Sequence, residues 1–203
     1  IIVAAIGAIM LIVACKNNKG FIALIIIMLA LAVIALLFFG GFRATRIMVW
    51  LNPEQYSSKG GFQVLQGLYA IGSGGLTGVG LGNSTQKYLY LSEPQNDFIF
   101  AIIGEELGLV GCAIVIMLFV ILVYRCVKIA LNCTDIFTCM VVIGIGAQIG
   151  IQAALNIAVA TSSMPVTGVA LPFISYGGSS LLTSLANLGL VLNVGMRRKK
   201  INF

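Results

Sequence analysis

Long apolar runs separated by short polar segments dominate this chain, and their lengths predict helices that cross a membrane. A helix needs about 20 apolar residues to cross about 30 Å of hydrocarbon, and residues 21–42 form such a run without a charge. Four further runs lie at 1–15, which is too short for a full crossing, 98–124, 136–160 and 177–196. The pattern predicts an all-α, polytopic transmembrane helix bundle in a single membrane domain, with loops at 43–97 and 161–176.

Basic residues near the span ends orient this predicted bundle, because lysine and arginine next to a span are retained in cytoplasmic loops. Helix parity puts eight of the twelve basic residues on one side: Lys16, Lys19, Arg125, Lys128, Arg197, Arg198, Lys199 and Lys200. The remaining four lie in the long loop: Arg43, Arg46, Lys59 and Lys87. We therefore expect a cytoplasmic C-terminus and extracytoplasmic loops at 43–97 and 161–176. The net charge of +6 is then a topology signal and requires no nucleic-acid partner.

The composition excludes a soluble domain and several kinds of active site. Hydrophobic residues make up 60% of the chain, charged residues make up 9%, and the mean hydropathy is +1.08, whereas a soluble domain carries about 25% charged residues. Because the chain contains no histidine, it has no Ser-His-Asp triad and none of the usual zinc sites that use imidazole. The five cysteines form no CxxC pair, and we interpret them as small buried hydrophobes.

The long loop is not uniform. An amphipathic stretch at 62–70 precedes a glycine-rich run at 72–83. That run matches neither GxGxxG nor the Walker pattern and follows no strand, so nucleotide binding has little support. We expect flexible turns there, close to a membrane or a ligand.

Two predicted spans carry polar side chains on one helical face, at spacings i, i+4 and i+8. The fourth span has Gln148, Gln152 and Asn156, and the fifth has Ser179, Thr183 and Asn187. Such stripes turn away from lipid because an unpaired polar group in hydrocarbon is costly. Interhelical hydrogen bonding is the interpretation we favour over the lining of a polar path.

Only six acidic residues are present, so the search for a catalytic carboxylate is short. Asp135 is expected to cap the fourth span, and Asp97 stands where the long loop enters the third span. Asp97 fits either a helix cap or a catalytic base at the outer interface. Glu105 and Glu106 lie inside the third span, where three states are open: protonated, bonded to Gln148 or Gln152, or paired with a residue outside this chain.

Two arginines, Arg43 and Arg46, lie just outside the second span, on the face where basic residues are disfavoured. Contacts with lipid phosphates and contacts with a substrate explain these two arginines equally well. Together with Lys87 and an outer carboxylate, they would suit a substrate that carries a pyrophosphate on a lipid and a sugar hydroxyl that must lose its proton.

Two stretches carry a family resemblance. Residues 94–108, PQNDFIFAIIGEELG, resemble the PxxDFIFAxIGEELG signature of the shape, elongation, division and sporulation (SEDS) proteins FtsW, RodA and SpoVE. Residues 165–180, PVTGVALPFISYGGSS, resemble a second signature of that family, and residues 80–87 look like its division and sporulation branch. Family members have about ten spans of ~20 residues, so this chain, which begins inside an apolar run without methionine, is similar to a C-terminal half.

The resemblance implies a peptidoglycan glycosyltransferase that polymerises lipid II into β-1,4 glycan strands. Asp97 matches the family's essential aspartate and would be the general base. The implied substrate-binding residues are Arg43, Arg46, Lys87 and Glu93, with Arg46, Lys87 or a divalent cation, Mg or Mn, near the pyrophosphate. No organic cofactor is implied. Supporting roles fall to Glu105, Glu106, Gln148, Gln152, Ser175, Tyr176, Gly177, Gly178 and Ser179.

The implied setting is the bacterial cytoplasmic membrane, with a class B penicillin-binding transpeptidase and divisome-type membrane proteins as partners. Two other functions stay open: a transporter that flips lipid II, and a non-catalytic scaffold that recruits the transpeptidase. Two positions depart from the family pattern. Ser92 replaces a usual proline, and Thr167 stands where some division members carry lysine, so no role of that lysine carries over.

Overall fold

The computed structural model describes residues 2–14, 40–86, 96–133 and 135–197, and every regular element in these ranges is a helix. They are α1 (Ile2–Ala14), α2 (Gly40–Leu51), α3 (Gly61–Gly74), α4 (Ile99–Ala130), α5 (Ile136–Ala160) and α6 (Gly178–Arg197), with a 3-10 turn at Ser57–Lys59. The all-α fold class is confirmed for these residues. The crossing predicted at 21–42 lies outside them except for residues 40–42. Also outside are Lys16, Lys19, Lys87, Ser92, Glu93 and residues 198–200.

Three helices are long and apolar enough to cross a membrane: Ile99–Ala130, Ile136–Ala160 and Gly178–Met196. They coincide with the crossings predicted at 98–124, 136–160 and 177–196, although α4 continues beyond residue 124. The helix α4 is interrupted at Gly108, whose φ of 66° and ψ of −164° are not helical. The polytopic membrane class follows from these three helices.

The segment predicted as one long loop contains helical structure. Helix α2 ends at Leu51, before Asn52 and Pro53, because a proline disfavours the helical conformation of the residue before it. The amphipathic stretch at 62–70 forms most of α3. Between the two helices the chain turns at Gly60, which has a φ of 102°, a left-handed conformation that glycine adopts without strain.

The residues form two compact units, the first comprising 1–40, 120–151 and 182–203, and the second comprising 41–119 and 152–181. In the first unit, glycines of α5 let other helices approach closely. A Cβ placed on Gly146 would lie 2.9 Å from Cβ of Cys126, and one on Gly150 would lie 3.2 Å from Cγ2 of Val123. This is the small-residue packing typical of helices in membranes.

A polar contact joins two helices of the first unit. Asn187 Nδ2 of α6 donates to Gln148 Oε1 of α5 over 3.4 Å, which confirms interhelical hydrogen bonding for that pair. Asp135 caps α5, as predicted: its Oδ2 accepts from Thr138 N over 3.0 Å and from Thr138 Oγ1 over 2.9 Å. These two bonds lower the pKa of the Asp135 carboxyl below its ordinary value of 3.8.

The core of the second unit surrounds the start of α4. Phe98 is fully buried with Ala70, Ala101 and Val159. The ring of Phe98 lies against Gly67 of α3, where an added Cβ would be 2.9 Å from the ring carbon Cδ1. A neighbouring cluster joins Phe100 and Leu171 to α5 residues. Phe98, the residue after Asp97, is therefore held in place by packing against α3 and α5.

Candidate active site

Asp97 lies in the turn that leads into α4. The first helical bonds are accepted by Phe98 O, from Ala101 N over 3.0 Å and from Ile102 N over 3.3 Å, so the helix starts just after Asp97. Its side chain is half-buried. A Cβ placed on Gly168 would lie 3.7 Å from Asp97 Oδ2, and Gly168 has a φ of 71°. Oδ2 of Asp97 therefore lies close to Gly168 in the second signature.

Two buried side chains hold the backbone on both sides of this carboxylate. Asn156 of α5, 1% exposed, donates from Nδ2 to Asp97 O over 3.0 Å and to Val169 O over 2.8 Å. Ser175 Oγ donates to Asn96 O over 2.7 Å and accepts from Leu171 N over 2.7 Å. Each residue thus joins residues 96–97 to residues 169–171, so the two family signatures are fastened together at Asp97.

Sequence reasoning did not select Asn156 as a site residue. The available signal was its place at the end of the amide stripe of α5, which was interpreted as interhelical bonding. The partners of Asn156 are instead two carbonyls of irregular segments. Ser175 lies shortly before α6, which begins at Gly178.

A cavity of about 210 Å³ lies beside α2, lined by Thr45, Arg46, Val49, Trp50, Gly60, Gln63, Val64 and Val166. Arg46 Nη1 donates to Val166 O over 2.9 Å, and Trp50 Nε1 donates to Ser162 O over 2.7 Å. Both bonds tie α2 to the segment after α5. Val166 is two residues from Gly168, so the same short segment borders both the cavity and the Asp97 carboxylate.

Glu105 has partners that the sequence did not suggest. Its carboxylate, 1% exposed, accepts from Ser84 Oγ over 2.5 Å, Thr85 N over 3.0 Å and Thr85 Oγ1 over 3.1 Å. The expected amide partners, Gln148 and Gln152, are not among these donors. For the adjacent Glu106, atom Oε1 is buried and has no hydrogen-bond partner within the described ranges. The two glutamates therefore differ sharply in their surroundings.

The other predicted site residues are placed as follows. Gln148 belongs to the first unit, and Gln152 lies on α5 one turn before Asn156. Arg43 lies on α2, three residues before Arg46. Lys87 and Glu93 lie outside the described residues. The remaining four lie at or next to the start of α6: Tyr176, Gly177, Gly178 and Ser179. The side chain of Tyr176 is 78% exposed.

Oxygen atoms near Asp97 offer the ligand type that hard cations take. Asn156 Oδ1 and Thr167 Oγ1 are buried and have no hydrogen-bond partner in the part of the chain that the structure describes. Among those residues there is no cluster of three or more His, Cys, Asp or Glu side chains suited to a metal. One carboxylate with neutral oxygens fits the way Mg²⁺ is held, since it uses one or two carboxylates together with substrate phosphates.

Fold and site define a helical membrane protein in which two irregular segments, residues 96–97 and 169–171, are joined by hydrogen bonds at one aspartate. A family model described as "Cell cycle protein", covering FtsW, RodA and SpoVE, matches residues 1–200. The chain belongs to the FtsW/RodA/SpoVE family.

Curated relatives agree with this assignment. Stage V sporulation protein E of Bacillus subtilis (strain 168) is 50% identical over 153 residues, which are 75% of this chain and 42% of that protein. A probable peptidoglycan glycosyltransferase FtsW of Trichlorobacter lovleyi is 46% identical over 162 residues, 80% of this chain and 42% of that protein. The chain thus spans less than half the length of these relatives.

A solved structure has the same fold. It is described as "Structural coordination of polymerization and crosslinking by a peptidoglycan synthase complex" and matches with a TM-score of 0.75 and 29% identity. The match covers 97% of this chain and 55% of the other. The arrangement of its helices is therefore similar to that of the matched chain.

Proposed function

We propose that this protein is a peptidoglycan glycosyltransferase that polymerises lipid II into β-1,4 glycan strands during cell division or sporulation, with Asp97 as the general base. The observation that carries the proposal is the arrangement at Asp97: Asn156 and Ser175 hold the backbone carbonyls of residues 97 and 96, while the carboxylate faces a glycine. Hydrogen bonds that hold the backbone at residues 96 and 97 fix the position of the carboxylate, as a general base requires. Relatives named probable peptidoglycan glycosyltransferase support the same activity.

In the proposed reaction the 4-hydroxyl of the acceptor sugar attacks the anomeric carbon of the lipid-linked donor. The Asp97 carboxylate takes the hydroxyl proton as the new carbon–oxygen bond forms. The bond between the anomeric carbon and the pyrophosphate oxygen breaks, and undecaprenyl pyrophosphate leaves with the electron pair. Attack on the face opposite the leaving group converts an α-linked donor into a β-1,4 linkage.

The cavity beside α2 is the proposed position of the pyrophosphate and its sugar. Arg46 borders this cavity, and the planar guanidinium fork matches phosphate oxygens. Trp50 supplies an aromatic wall of the kind on which a sugar ring packs. Arg43, Lys87 and Glu93 remain proposed substrate-binding residues.

A divalent cation, Mg or Mn, would neutralise charge on the leaving pyrophosphate when bound. Asp97, Asn156 and Thr167 are the residues that would hold it, because their oxygens are of the required type, and the buried oxygens of Asn156 and Thr167 have no hydrogen-bond partner among the residues that the structure describes. Polymerisation should then stop in excess chelator and return with added Mg²⁺ or Mn²⁺. Full activity in chelator would remove the cation from the proposal.

The proposed location is the bacterial cytoplasmic membrane, with residues 43–97 and the C-terminus on opposite sides. The proposed partner is a class B penicillin-binding transpeptidase, which would cross-link the new strands. The structural match to a chain of a polymerisation and crosslinking complex supports such a partner.

The test compares the full-length wild type with Asp97→Asn, each purified with the transpeptidase and supplied with labelled lipid II. We expect the variant to fold and bind its partner but to lose about 10²- to 10⁴-fold of the polymerisation rate, the range of general base catalysis. Wild-type polymer from Asp97→Asn would refute the assignment. Transport of lipid II across vesicles by the variant would favour a flippase, and partner binding without polymer or transport by the wild type would favour a scaffold.

A further inference from the structure

The helix that presents Asp97 is not continuous with the helix that crosses the membrane. At Gly108 the backbone leaves the helical conformation, so the short helix before it, residues 99–107, is not aligned by helical bonds through that point. In an unbroken helix Leu109 N and Val110 N would donate to the carbonyls of Glu105 and Glu106. Something else must therefore orient the short helix.

A glycine-rich segment supplies the missing hydrogen bonds. We call residues 75–85 the glycine loop. Leu109 N donates to Gly75 O over 3.0 Å and Val110 N to Leu76 O over 3.3 Å, while Val79 N donates to Glu105 O over 3.0 Å and Gly80 N to Glu106 O over 3.1 Å. All four polar groups freed at the break are thus paired, as irregular backbone at membrane depth requires.

Backbone meets backbone at this junction. A Cβ on Gly78 would overlap the backbone of Glu106 and Leu107, and a Cβ on Gly108 would overlap the backbone of Leu76 and Gly78. The glycine loop and the break therefore fit one another only because both positions lack side chains.

One side chain fastens the far end of the glycine loop to the short helix. Glu105 lies in the last turn of that helix, and its two carboxylate oxygens accept three bonds from Ser84 and Thr85. Hydrogen bonds to a carboxylate are the strong kind. The burial of Glu105, 1% exposed, keeps water from replacing these donors.

We propose that Glu105 is a positioning residue for the base: through Ser84 and Thr85 it sets the direction of residues 99–107 and hence the place of Asp97. The proposal rests on the proposed function. Asn156 and Ser175 hold one end of the short helix, and Glu105 holds the other at the point where helical continuity is lost. A displaced carboxylate slows proton transfer, since a misplacement of about 1 Å costs about 10²-fold in rate, but it leaves the Arg46 cavity unchanged.

The experiment compares Glu105→Gln with Glu106→Gln in the full-length protein with its partner. Glu105→Gln places an amide NH₂ opposite the donors of Ser84 and Thr85. Glu106→Gln makes the same substitution at the next residue, whose Oε1 has no hydrogen-bond partner among the described residues. We expect Glu105→Gln to lower kcat about 10²-fold with an unchanged KM for lipid II, and Glu106→Gln to leave both near wild type. The double variant Ser84→Ala, Thr85→Val should reproduce Glu105→Gln.

Hydrogen exchange gives a readout that does not depend on activity. In Glu105→Gln, exchange should quicken in the glycine loop and also at Ala101 and Ile102, the first bonded amides of α4. Quickened exchange confined to the loop, or a raised KM with unchanged kcat, would overturn the positioning role. If Glu105→Gln does not fold, Glu105→Asp, which keeps the carboxylate, should show the same effects in weaker form, and wild-type behaviour of that variant in both assays would overturn the proposal. If the wild type makes no polymer, the proposed function fails while the exchange result still decides whether Glu105 orients the short helix.

Discussion

Different kinds of contact stabilise the interior of each of the two units. In the first unit, side chains of one helix rest on glycines of another, as Cys126 does on Gly146, and Asn187 of α6 donates a long hydrogen bond to Gln148 of α5. In the second unit, buried polar side chains bind backbone groups of irregular segments. Asn156, Ser175 and Glu105 together make seven hydrogen bonds, five with backbone groups and two with side chains.

This difference separates what a membrane bundle needs from what a site needs. Regular helices satisfy their own backbone, so the first unit requires only close packing. The second unit contains a helix break, a glycine loop and the signature at 165–180, whose freed backbone groups must find partners. Asn156 and Ser175 bind the backbone next to Asp97, and Glu105 binds the glycine loop, so the candidate site lies in the unit with the irregular backbone.

The largest expected effect comes from adding one methyl group at the helix break. Gly108→Ala would force a strained backbone and an overlap with Leu76 and Gly78, so we expect a loss of at least about 3 kcal/mol in the free energy of unfolding. Among the described residues, a Cβ added at Gly146 in the first unit meets only the Cys126 side chain, so Gly146→Ala should cost about 1–3 kcal/mol. Thermal unfolding in detergent measures both.

Gly72→Ala is the matched control, because Gly72 lies in α3 and no atom of the described residues comes within 4 Å of an added Cβ. This variant should be neutral or gain about 0.5–1 kcal/mol from the better helix propensity of alanine. Equal losses from Gly108→Ala and Gly146→Ala would contradict the contrast between the two units.

A smaller effect is expected from removing one amide in each unit. Asn156→Leu leaves the carbonyls of Asp97 and Val169 without their donor, which should cost about 2–4 kcal/mol and slow polymerisation at least about 10-fold through misplacement of Asp97. Gln148→Leu removes one 3.4 Å bond and should cost about 0.6 kcal/mol without a change in rate. Similar rates for the two variants would mean that Asn156 does not position the site.

The smallest effect concerns the cap of α5 and depends on pH. The pKa of Asp135 is lowered by the bonds from Thr138, so its ionised form stabilises the folded state above pH 3.8, and this contribution disappears as the pH falls through the lowered pKa. Wild type should therefore exceed Asp135→Ala in stability at neutral pH, and the difference should shrink below about pH 4. A pH-independent difference in unfolding midpoint would show that the charge contributes nothing.

Some of this was predictable from local pattern. The apolar runs predicted three helices that match α4, α5 and α6, because burial of backbone in hydrocarbon demands a helix for each run. The aspartate before residue 136 predicted the α5 cap, since a cap needs only neighbours in sequence. Asp97 was selected by its place at the head of a span together with the family signature, and the structure sets it between Asn156 and Gly168.

The pairing of Glu105 was not predictable in the same way. The sequence left three states open for this residue, and the partners, Ser84 and Thr85, precede it by about twenty positions in a glycine-rich segment without periodicity. No spacing rule relates the two, because their contact depends on how the glycine loop packs against residues 99–107.

The sequence by itself determined that this is a helical membrane protein with few carboxylates and one at a span entry, because hydrophobicity and charge act residue by residue. Only the tertiary structure decided which polar groups hold that carboxylate in place. Asn156, Ser175 and Glu105 each have a hydrogen-bond partner that lies far away in the sequence. These bonds form only when the tertiary fold brings distant segments together, and no local sequence pattern specifies which segments meet.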